Sequence, residues 1–103
     1  MKPISERQAQ GLLQRWQASK ASIRVSFSAA FSESSEGIIS DVEASPGQTV
    51  AHIWLVGLAD VVRPAGTESP EKYLVLRDCN FAYDGATLAV LFSDGRALYF
   101  RED

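Results

Sequence analysis

Two different spacings of apolar residues run through this chain, and the change from one to the other divides it. Over residues 4–19, Ala9, Leu12, Leu13 and Trp16 fall at i, i+3, i+4 and i+7, the stripe of an amphipathic helix. Ser5 followed by Gln8 makes a capping box at its start, and Ile4 just outside is placed to staple against Ala9. Gly11 weakens the helix by about 1 kcal/mol relative to Ala. Arg7, Gln10, Gln14, Arg15 and Gln17 fill the remaining surface, and Trp16 anchors the stripe by packing.

From Ser22 onward the period is two. Ile23, Val25, Phe27 and Ala29 alternate with Arg24, Ser26 and Ser28, which predicts a half-buried strand over 22–31. A polar turn at 32–37 leads to a short strand over 37–43. Pro46-Gly47 suits the central positions of a type II turn, and 49–57 is apolar on both faces, as in a central strand. Residues 57–70 make one long connection whose apolar part, Leu58 to Val62, predicts packing on the body or on a partner.

The last third reads as a three-strand meander over 72–83, 86–92 and 96–101, joined at Asp84-Gly85 and Asp94-Gly95. Two-residue turns at both places pair Leu91 with Leu98, Val90 with Tyr99, Phe81 with Leu88 and Cys79 with Val90. Paired residues share a face. One face then carries Cys79, Phe81, Leu88, Val90, Phe92 and Tyr99, and the other carries Ala89, Leu91, Leu98 and Phe100, joined by Leu74 and Leu76 if the strand runs unbroken from Tyr73 to Tyr83. Two apolar faces require a second cover, which is a curled sheet, a helix or another copy of the chain. The polar pair Arg77-Asp78 marks a bulge that bends the strand.

The expected fold is therefore α+β and mostly β. A single domain over 1–103 has an N-terminal helix at 4–19, then a strongly bent antiparallel sheet of about six strands, or a small open barrel, over 22–101. In element order this resembles Sm-like and SH3-like barrels, a resemblance of topology only. The Asp- and Asn-rich motifs with which Sm-like proteins hold RNA are absent at Ala44-Ser45-Pro46-Gly47.

Composition narrows the function classes. At 103 residues the chain supports a modest core, and 46% apolar with 22% charged residues is ordinary for a globular domain. No apolar run reaches the length of a membrane span, and residues 1–7 lack a signal-peptide pattern. With a single cysteine, this predicts a cytoplasmic protein. The net charge of −3, from 13 acidic and 10 basic residues with the bases scattered, argues against nucleic acid or a membrane as partner.

Catalytic chemistry finds little support. His52 is the single histidine and Cys79 the single cysteine, so zinc is not expected, and no cofactor is called for. Asp84 and Asp94 are accounted for by turns. A Gly-rich phosphate loop and a Gly-x-Ser-x-Gly motif are both absent. The residues that suggest a binding groove are His52, Trp54, Arg63, Tyr73 and Tyr99, with Tyr83, since aromatic residues and arginine are enriched at binding hot spots. The expectation is a non-catalytic interaction module that associates with itself, as a homodimer or larger, or with another protein. The alternative is a small-molecule binder with a pocket at the mouth of the sheet under residues 57–70. An enzyme using His52 as base ranks third.

Overall fold

The structure, a computed structural model, describes residues 1–31, 34–55 and 71–102. Arg63 and the connection at 57–70 lie outside the described residues. Within these bounds the chain forms β1 (Lys2–Ile4), α1 (Glu6–Ser19), β2 (Ser22–Ser26), β3 (Ser34–Ser45), β4 (Gln48–Leu55), β5 (Glu71–Arg77), β6 (Cys79–Tyr83), β7 (Thr87–Phe92) and β8 (Ala97–Glu102). All strands pair antiparallel in one sheet, in the order β1-β6-β7-β8-β2-β3-β4-β5. The mostly-β α+β architecture is as expected from the sequence, with eight described strands in place of about six.

The two extra strands have separate origins. β1 is three residues long, too short to show a period, and sits at the end of the sheet opposite Phe81 to Tyr83. Pro3 lacks an N–H and is tolerated at such an edge. The expected strand over 72–83 divides at Asp78, whose φ of 54° is left-handed and interrupts the extended backbone. Arg77 still pairs with Gln48 of β4, whereas Cys79 already pairs with Phe92 of β7. The sheet is open, with β1 and β5 as its ends. Because β6 lies next to one end and follows β5 through a single residue, the two ends are tied together and the sheet has to curl.

Helix α1 forms where the pattern places it. Ser5 Oγ accepts the Gln8 N–H at 3.1 Å while Gln8 Oε1 accepts the Ser5 N–H at 2.9 Å. At the other end Lys20 takes φ 53°, and the Lys20 and Ala21 N–H groups bond back to Gln17 O and Trp16 O. Ala9, Leu12, Leu13 and Trp16 are buried in one core with Ile23, Ile39, Ile53, Leu76, Phe81, Leu88, Val90, Leu98 and Phe100. Polar contacts set the helix over β3 and β4. Glu6 Oε1 accepts the Gly47 N–H at 2.9 Å, Gln10 Nε2 donates to Thr49 Oγ1 at 3.0 Å, and Gln17 Nε2 donates to Ser40 O at 3.2 Å.

The meander's register differs from expectation at both turns, with unequal consequences. At the first, Asp84 Oδ1 accepts the N–H groups of Ala86 and Thr87 at 2.9 and 2.7 Å. These two bonds hold its carboxyl below the usual carboxylate range. The loop is longer by two residues, so Phe81 meets Val90 and Tyr83 meets Leu88, and the faces are unchanged. At the second, Phe92 N–H bonds to Arg96 O at 2.9 Å, and Gly95 at φ 92° closes a three-residue loop. Leu98 now stands opposite Val90 and Phe100 opposite Leu88.

That one-residue difference turns all of β8 over. Leu98 and Phe100 join Phe81, Leu88 and Val90 under the helix, and Tyr99 moves to the outer face with Ala89 and Leu91. Leu91 and Leu98 are not cross-strand neighbours, which overturns the expectation of two equally apolar faces. Strand β2 also ends early, at Ser26 rather than residue 31. Ser26 Oγ accepts the Ser28 N–H and Ser28 Oγ accepts the Ala30 N–H, so side-chain hydroxyls replace the ladder and Phe27 is left 77% exposed.

Two glycines should respond oppositely to alanine in urea unfolding. Gly11 lies mid-helix with nothing within 4 Å of an added Cβ, so Gly11→Ala is expected to stabilise by about 0.5–1 kcal/mol. At Gly37 a Cβ would stand 2.5 Å from Trp54 O and 2.6 Å from Ile53 Cγ2, so Gly37→Ala is expected to destabilise by about 1–3 kcal/mol.

Candidate binding surface

The last two strands of the sheet carry three exposed large hydrophobic side chains on one face. Along β4, Thr49, Ala51 and Ile53 are buried inward, so Val50, His52 and Trp54 point out. In β5 the inward residues are Leu74 and Leu76, leaving Tyr73 and Val75 outside, opposite His52 and Val50. Trp54, Tyr73 and Val75 are 44%, 64% and 49% exposed.

A bulge in β3 completes this face. Ile39 pairs with Ile53 and Asp41 with His52, so Ser40 is the extra residue, and its hydroxyl bonds to His52 O at 3.2 Å. Without that insertion Asp41 and Glu43 would turn toward the core. With it, both acids stand outside beside His52. His52 Nε2 lies 2.6 Å from Glu43 Oε2, and its ring meets Tyr73 edge-on at 4.6 Å. An ionised carboxylate can only accept, so the ring nitrogen is the donor there. The imidazole is thus a fixed part of the surface between a carboxylate and a phenol ring.

Of the residues the sequence proposed, His52, Trp54 and Tyr73 come together on this face. Tyr99 does not join them: it lies on β8 between Ser26 and Ala89, with its ring 6.3 Å from Phe31. The Arg101 guanidinium sits 4.2 Å over that same Phe31 ring. Tyr83 packs against the core, so the expected four-aromatic groove does not form. Cys79 also packs inward, on the opposite side of the sheet from His52, which leaves no Cys-His pair. Among the described residues no group of three or more His, Cys, Asp or Glu could hold a metal ion. No described helix is long and apolar enough to cross a membrane.

A concavity opens at one end of the curled sheet. It measures about 390 Å³ and is walled by Val25, Phe27, Ile53, Leu74 and Leu98, with Ser34, Ser35 and Lys72 also lining it. His52 is not in the lining, because its strand parity sends it outward. The sequence reading missed Val75, Lys72 and Phe27 as surface determinants. Strict alternation along β5 was sufficient signal for the first two, whereas Phe27 depended on where β2 stops.

Burial, and then the negative charges of Glu6 and Asp78, push the Cys79 thiol above its ordinary value. Alkylation by iodoacetamide at pH 8 is therefore expected to be several-fold slower in the folded protein than in urea, followed by mass spectrometry.

Comparison with known proteins finds no matching family, no matching curated protein and no matching solved structure.

Proposed function

We propose that this domain is a non-catalytic interaction module that associates with a second copy of itself through the outer face of β4 and β5. One observation carries the reading: Trp54, Tyr73 and Val75 stand exposed side by side, with half-buried Val50 among them, at the end of the sheet. Contiguous apolar surface of this kind, rich in aromatic residues, is what interface centres are made of.

The flanks favour a second copy as occupant. On the β3 side the face is bordered by Asp41 and Glu43, and on the β5 side by outward-facing Arg77. Two copies related by a two-fold axis through the patch lay the acidic border of one over the basic border of the other, twice. Among the described residues β5 pairs only with β4, so an edge lies beside the patch and gains cover from the same association. His52 serves this face as a positioned wall, held by Glu43 and Tyr73, without a catalytic role.

The test is the solution mass by light scattering coupled to size exclusion, from low micromolar to low millimolar protein. The wild-type chain is expected to approach dimer mass with rising concentration. The double variant Tyr73→Glu, Val75→Glu keeps the core intact, since both residues are exposed, and is expected to weaken the dimer at least about a hundredfold by placing unpaired charge in the contact. A wild-type monomer throughout, or a dimer that the double variant leaves unchanged, would overturn the reading.

A further inference from the structure

We infer that the mouth of the curled sheet is a separate ligand site, which takes a free single-chain amphiphile with one carboxylate, its apolar chain inside and its headgroup at Lys72. Its main cavity lies on the inner side of the sheet, and none of its lining residues belongs to the association face. Val25, Phe27, Ile53, Leu74 and Leu98 wall it from four different strands and the segment just after β2. A volume of about 390 Å³ is in the range of small-molecule pockets.

The polar groups are few and sit together in kind. Lys72 is the single charged residue among the described lining residues, and it stands opposite Ile53 with the inward parity of Leu74 and Leu76. Lys72 is exposed, so its stem lies along the apolar walls while its ammonium stands in water at the rim, where an anionic headgroup can reach it. Ser35 pairs with Val25 and shares its inward face, so its hydroxyl is a donor there, whereas Ser34 turns its hydroxyl to the outer face, where it accepts from Arg24 at 3.2 Å. One cation with one hydroxyl is a recognition set for one carboxylate.

The depth of the site favours a chain over a compact ring. Phe27, Leu74 and Leu98 also border a smaller cavity of about 150 Å³ toward Phe92, whose lining includes Arg96 and, from the association face, Tyr73 and Val75. A flexible chain follows such a bent path, and a rigid polycycle does not.

An inward lysine on an end strand can also act only as a guard against edge pairing. Titration calorimetry with hexanoate, octanoate and decanoate below their micellar concentrations separates the two. The amphiphile site predicts that affinity rises about fourfold per added methylene, the equivalent of ~0.8 kcal/mol for each buried CH₂. Lys72→Met is expected to weaken decanoate about tenfold while leaving decanol, which lacks the charge, within about twofold. Lys72→Arg should retain decanoate binding. Absence of decanoate binding, affinity independent of chain length, or a Lys72→Met variant that binds decanoate as well as wild type would each overturn the site.

Discussion

The joint at Asp78 governs this molecule more than any other single feature. Strands β5 and β6 sit toward opposite ends of one sheet, yet one residue separates them along the chain. A connection that short requires the sheet to bend so that β5 passes directly into β6, and the left-handed backbone of Asp78 is where the bend is made. The β7–β8 loop ties the corner, through the Ser93 N–H on Asp78 O at 3.1 Å. On the inner face of the curled sheet, α1 supplies Ala9, Leu12, Leu13 and Trp16 to the core.

Curling also explains why a chain with so much apolar sequence leaves so little of it outside. Leu98 and Phe100 share a face in either register, and the three-residue loop around Gly95 selects the one that buries both beside Val90 and Leu88. Stabilisation by burial is proportional to the apolar area removed from water, so the register that gathers these residues on one face is favoured over one that divides them. The apolar residues left outside are then informative. Three of them, Trp54, Tyr73 and Val75, gather on β4 and β5 near the His52–Glu43 pair, while Met1, Phe27 and Leu91 stand apart.

That same curvature makes two environments from a single strand. In β5, Tyr73, Val75 and Arg77 alternate with Lys72, Leu74 and Leu76, so one set faces a surface suited to another protein and the other faces a concavity suited to a small amphiphile. The main cavity of the proposed ligand site and the proposed association face thus share β5, and Tyr73 and Val75 also border the smaller cavity beyond it.

By itself the sequence determined the local features whose causes lie within a few residues. The helix with its capping box, the turns at Pro46-Gly47, Asp84-Gly85 and Asp94-Gly95, the mostly-β class and the break near Arg77-Asp78 all follow from spacing, capping and backbone preference. Three of the five proposed binding residues, His52, Trp54 and Tyr73, stand on one outward face, but with 49–57 apolar on both faces the sequence did not say which face is outward. Tertiary structure alone decided the rest. A loop longer by one residue reversed β8 and carried Tyr99 away, and a bulge at Ser40 set Asp41 and Glu43 beside His52. Serine hydroxyls ended β2 before Phe27. Each of these is a choice between nearly equal local alternatives, and it is settled by which one buries more apolar surface and satisfies more backbone groups across strands distant in sequence.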